Sequence, residues 1–217
     1  TGVVFRMTSA GSPRTSPGGE RVPCLHDPQL WAKEEPAIRR LARQRYASYS
    51  PLMLGLGDEM AVSHYHEVCF STHTLAAFRE HLRKQYGTLG KLNATWQTQF
   101  ADWDAVIPWK IPQTRQRAGN IAPWLEFRVF MTLTFVEALV KMQRWVKEGA
   151  PDTYTGGANP LDESYTSCAV FSQLYPALEY AQVYPRFHDR ARSWFRDPRL
   201  VGIWSGYSYS RAMIERH

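Results

Sequence analysis

The chain is poor in the features that mark several functional classes. It has 3 cysteines in 217 residues, Cys24, Cys69 and Cys168. An odd number at wide spacings does not make a disulfide framework and leaves the redox compartment open. No apolar run approaches the roughly 20 residues that cross a bilayer, so no membrane partner is expected. There is no internal repeat and no low-complexity tract. Gly55 and Gly57 lack the Lys-Ser/Thr that completes a phosphate loop, and no Gly-x-Ser-x-Gly nucleophile elbow is present. The chain opens at Thr1 without a charged-then-apolar leader, which reads as a fragment or a processed chain.

Its 44% hydrophobic and 21% charged residues can build one sizeable core, and a single domain over residues 1–217 is expected. The net charge of +6 comes largely from arginine, in a cluster at Arg39, Arg40, Arg43 and Arg45 and another at Arg186, Arg190, Arg192 and Arg196. Without a nucleic-acid-binding motif, these clusters read as solvated helix faces, and no nucleic-acid partner is expected. Aromatics reach 13%, with 8 Trp and 11 Tyr. Flat rings pack against the C–H faces of sugars, although most aromatics in most proteins serve the core.

The pattern alternates strands and helices. Val3 to Met7 is β-branched and apolar, and a Gly/Pro/Ser-rich loop follows from Ser9 to Val22. Asp27-Pro28 reads as an N-cap with proline in the first helical turn, and Tyr49-Ser50-Pro51 stops that helix. Leu52 to Glu59 is an apolar run that ends in two carboxylates, Asp58 and Glu59. A run apolar on both faces predicts a buried parallel strand, and its carboxyl end is where α/β barrels place their chemistry. Leu75, Phe78, Leu82 and Tyr86 form one helical stripe closed by Gly87. A short helix with Leu89, Leu92 and Trp96 comes next, then a loop to Asn120. The longest helical period runs from Trp124 to Lys147. Residues 153–157, 178–184 and 200–204 complete the strands, with a helix over 186–195. Strands separated by helices predict a parallel sheet or barrel.

The block from Gly57-Asp58-Glu59 through Cys69-Phe70-Ser71-Thr72-His73 to Phe78-Arg79 resembles the β-galactosidases of glycoside hydrolase family 42. So do Tyr86-Gly87-Thr88-Leu89, Leu92-Asn93, Trp96 and the run from Phe100 to Pro108. The resemblance covers most of residues 52–147. It implies a clan A (β/α)8 TIM-type barrel, of which this chain holds about strands three to seven. It also implies hydrolysis of O-glycosidic bonds, with Glu59 as general acid/base. Asp58 then stands where the family has a substrate-contacting Asn. An ionised Asp can accept a hydrogen bond there but not donate one, and its charge would favour a protonated neighbour.

A retaining glycosidase needs a second carboxylate about 5 Å from the first. On the same resemblance it should follow the last predicted strand, but Trp204-Ser205-Gly206-Tyr207-Ser208 has none. Asp162, Glu163, Glu179 and Glu215 are other acids in this half, each better read as a surface or capping residue. The family's zinc cluster maps onto Cys24 and Cys69, with Ser71 and Thr74 in place of further cysteines. His64, His66 and His73 lie near in sequence, but a lost metal site is the expectation. Past Glu59, His64 is a candidate sugar contact, and Tyr184, Trp204 and Tyr207 at strand ends are candidate sugar-binding aromatics.

The expectation is therefore a glycosidase of β-galactosidase type acting on a carbohydrate substrate, with no cofactor and no metal, and with a homo-oligomer left open. The alternative is a carbohydrate-binding barrel impaired in catalysis by the missing nucleophile.

Overall fold

The computed structural model describes residues 14–15, 21–50, 52–58, 62, 67–116, 119–158, 171–197 and 200–203. Strands β1 (Arg14–Thr15) and β2 (Arg21–Val22) make a short antiparallel ladder within the Gly/Pro/Ser-rich segment. The predicted strand from Val3 to Met7 lies outside the described residues.

Helix α1 (Pro28–Tyr49) begins where Asp27 accepts the Gln29 amide at 2.8 Å. It ends at Ser50, whose φ of 42° is left-handed and whose amide donates to the Tyr46 carbonyl at 2.9 Å. α1 lies on α5 (Ala122–Gly149), the longest helix. Trp31 and Trp145 meet edge to face at 5.7 Å. Arg39 bridges Glu35 at 2.7 Å on its own helix and Glu148 on α5. This member of the first arginine cluster is thus a clamp between helices, while Arg40, Arg43 and Arg45 are exposed. Gly149 permits the close approach, because a Cβ there would meet the Arg43 Cγ at 2.7 Å.

Helices α2 (Thr72–Tyr86) and α3 (Leu89–Trp96) carry the remaining apolar stripes. Ser71 caps α2 by accepting the Thr74 amide, and Gly87 closes it with a φ of 72°. Phe78 is fully buried, with its ring centroid 4.8 Å from Phe127 and 5.1 Å from Phe130. Trp96 packs on the same cluster at 6.1 Å from Phe78. The segment expected as a loop contains a further helix, α4 (Ile111–Gln116), with no buried residue. Its first turn is held by side chains from outside: the Ile111 amide donates to Glu67 Oε1 at 2.6 Å.

Among the described residues the main sheet has four strands, all parallel, in chain order: β3 (Met53–Asp58), β4 (Tyr154–Ala158), β5 (Tyr180–Val183) and β6 (Val201–Ile203). The short helix α6 (Phe171–Leu174) and a 3-10 turn precede β5, and a second 3-10 turn leads into α7 (His188–Trp194). These four strands and α7 fall within a few residues of the sequence expectation.

The strands bury one face against the helices. Leu54, Leu56, Ala181, Val183 and Val201 join the core formed with α1, α2 and α5. Thr155 looks the same way, accepting a 2.6 Å hydrogen bond from Gln143 on α5. Gln182 and Gly202 alternate with the core residues and are exposed on the opposite face, as the period of two requires. The register shifts between Gly55 and Gly57, a bulge that places Leu56 as the extra residue of β3.

Candidate active site

Strand register brings the carboxyl ends of β3 to β6 into one row. Asp58 pairs with Ala158, Ala158 with Gln182, and Gln182 with Gly202. Asp58 is the last residue of β3 and therefore stands at the carboxyl edge of the sheet. Tyr184 lies two residues beyond Gln182 at the same edge. It is half-buried, and its carbonyl accepts the Phe187 amide at 2.8 Å. Of the sequence candidates, Asp58 and Tyr184 thus share one end of the sheet. Glu59, His64, Trp204 and Tyr207 lie outside the described residues, as do Asp162, Glu163 and Glu215.

Before α2 stands a buried acid that the sequence did not single out. Glu67 is buried, and its Oε2 accepts from Arg128 on α5 at 3.1 Å. Its other oxygen holds the start of α4. The Arg128 guanidinium also lies 5.5 Å from the Trp124 ring centroid. A buried charge pair of this kind is costly to desolvate and settles only when its remaining polar atoms are satisfied; the Ile111 amide does this for the second Glu67 oxygen. An Arg inside the apolar stripe of α5 was the available signal in the sequence.

Glu179 is committed to structure. One carboxylate oxygen accepts from the Thr155 amide and hydroxyl, both at 2.8 Å, and the other meets Lys147 at 2.9 Å. Thr155 is the second residue of β4 and Glu179 precedes β5, so this network sits at the amino end of the strands, away from Asp58.

The positions onto which the family's zinc cluster maps do converge. Cys24 Sγ lies 3.0 Å from Ser71 Oγ and 3.3 Å from Thr74 Oγ1. The neighbouring Cys69, with His26, Ser71 and Thr74, lowers the Cys24 pKa against the opposing effect of burial. The contact with Cys24, together with burial, pushes the buried Cys69 thiol up. His26 continues the chain of contacts, with Nδ1 3.2 Å from Thr74 Oγ1 and Nε2 3.3 Å from Thr134 Oγ1 on α5. A structural zinc site takes four thiolate, imidazole or carboxylate ligands. Here two of the four positions are hydroxyls, already engaged as hydrogen-bond partners of the thiols. His73 is exposed on α2. Among the described residues no group of three His, Cys, Asp or Glu is placed to hold a metal ion. The donor set does not fit zinc.

The glycoside hydrolase family 42 model, described as β-galactosidase, matches residues 4–168. The β-galactosidase LacZ of Heyndrickxia coagulans is 27% identical over 207 residues, covering 87% of this chain and 30% of that protein. A β-galactosidase of an Arthrobacter species is 26% identical over 129 residues, covering 57% of this chain and 18% of that protein. The crystal structure of a β-galactosidase from Bacillus circulans sp. alkalophilus superposes with a TM-score of 0.63 at 20% identity, over 87% of this chain and 30% of that one. The fold likeness extends to an agarase, with a TM-score of 0.60 at 14% identity over 88% of this chain and 30% of that one. The chain thus spans less than a third of the length of these relatives. With the family match covering most of its residues, the chain belongs to the β-galactosidase family of glycoside hydrolase family 42.

Proposed function

We propose that this chain is the central part of a (β/α)8 barrel that hydrolyses β-galactosidic bonds, with β3 as the fourth barrel strand and β6 as the seventh. Parallel strands in strict chain order, with helices packed on one face, are what a singly wound barrel requires. The observation that carries the reading is the position of Asp58 at the carboxyl end of β3, followed in sequence by Glu59, inside the family match.

In this reading Glu59 protonates the glycosidic oxygen as the bond to the anomeric carbon breaks. Asp58 accepts a hydrogen bond from a sugar hydroxyl and, through its charge, favours the protonated state of its neighbour. Tyr184 and Trp204 flank the sugar, with His64 and Tyr207 as further contacts. The nucleophilic carboxylate is supplied by a part of the protein other than Trp204 to Ser208, where no acid occurs. That absence favours one other reading, a barrel that binds carbohydrate without cleaving it. Release of 4-nitrophenol from 4-nitrophenyl β-D-galactoside by the protein that carries this chain supports hydrolysis. Binding of the same sugar by calorimetry without turnover supports the second reading.

A further inference from the structure

Gln182 is the one exposed side chain of β5, set between Ala181 and Val183, which are both buried against the helices. Among the described residues it makes no side-chain hydrogen bond. The face opposite the helices is the interior of the barrel proposed above, usually filled by branched apolar side chains, and Gln182 sets an amide there in the register row of Asp58. Its neighbour on β6 is Gly202. A Cβ built there would make only an ordinary contact with Gln182 Cγ, at 3.8 Å. On the other side, Ala158 separates Gln182 from Asp58 in the same register row. Two strand spacings put the two Cα atoms roughly 10 Å apart, a gap that a pyranose and its hydroxyl hydrogen bonds can bridge.

We propose that Gln182 is a specificity-determining sugar contact: its amide reads a pair of hydroxyls on a neutral hexopyranose whose other edge faces Asp58. The inference rests on the carbohydrate reading above. A primary amide donates and accepts at once, so it can pair with one hydroxyl as donor and its neighbour as acceptor. An epimer that redirects one of the two hydroxyls leaves half of the amide unsatisfied, which is how a polar contact discriminates.

The test uses the protein that carries this chain, with isopropyl 1-thio-β-D-galactoside and its glucoside epimer as probes, and calorimetry as the readout. Gln182→Ala should weaken the preferred epimer at least tenfold and shrink the ratio between epimers, with the melting temperature unchanged. Gln182→Glu, the same shape without the donor, should lose part of the preference. Gly202→Val, which crowds the amide without removing it, should also weaken binding. Wild-type affinity and epimer ratio in both Gln182 variants overturn the inference while leaving the carbohydrate reading intact. A wild-type protein that binds no pyranoside overturns both.

Discussion

Arg128 and Glu67 form an ion pair at 3.1 Å whose side chains are only 3% and 10% exposed. The Glu67 carboxylate joins α5 to the first turn of α4. Glu67→Ala removes the carboxylate that Arg128 and the Ile111 amide share. The expected loss of stability is about 3–5 kcal/mol, the usual cost of breaking a buried pair by removing one partner. Replacing both together, as Glu67→Leu with Arg128→Met, should recover much of that loss. Denaturant unfolding checks this; a single variant as stable as the wild type would contradict it.

Gly156 is crossed by Tyr180. A Cβ on Gly156 would lie 1.9 Å from the Tyr180 carbonyl oxygen and 2.7 Å from its ring. The obstacle is backbone, so a rotamer change cannot relieve it. Gly156→Ala should therefore destabilise by about 1–3 kcal/mol, the usual range for overpacking, and should perturb the β4–β5 pairing. A thermal melt of the variant reads the effect, and an unchanged midpoint would show that the strands can part to accept a methyl group.

Much of this architecture could be read from the sequence, and the exceptions have physical causes. The four parallel strands and the long helices announce themselves through apolar runs, through capping at Asp27, and through Gly87. Helix α4 does not, because it buries nothing and its first amide is satisfied by Glu67, a residue distant in sequence. The clamp made by Arg39 was equally hidden, since a charge run looks the same whether it faces water or a Glu on another helix. At the site, Asp58 and Tyr184 fall at the expected edge. Gln182 was passed over because a single polar residue in a short strand carries no periodic signal.

The Cys24, Cys69, Ser71 and Thr74 cluster should hold the start of α2 to the β2–α1 junction without metal. The purified protein is expected to contain far less than one zinc per chain and to melt at the same temperature with and without a chelator. Ser71→Cys with Thr74→Cys restores four thiols, and should take up one zinc with a rise in melting temperature. One equivalent of zinc in the wild type, with a fall in melting temperature on chelation, would contradict a metal-free cluster.

Tyr86 donates its hydroxyl proton to Glu126 Oε1 at 2.5 Å, linking α2 to α5. Burial and then the Glu126 carboxylate push the phenol up to about 12. A raised pKa means that the folded state holds the proton more tightly. The resulting stability is complete below the ordinary tyrosine pKa of about 10 and is lost as pH rises through about 12. Unfolding of the wild type between pH 9 and 12 should show this decline, and Tyr86→Phe should flatten that part of the curve. Phenolate absorbance at an ordinary tyrosine pKa, assigned by difference from Tyr86→Phe, would contradict the contact.

We propose Glu59, next in sequence after the strand-ending Asp58, as the acid/base of a glycosidase. The most direct measurement is turnover of 4-nitrophenyl β-D-galactoside by Glu59→Ala with and without azide, in the protein that carries this chain. The account predicts that deglycosylation collapses in the variant and that azide restores turnover, yielding a β-galactosyl azide, because a small anion needs no general base. Turnover equal to the wild type and indifferent to azide would remove Glu59 from the chemistry.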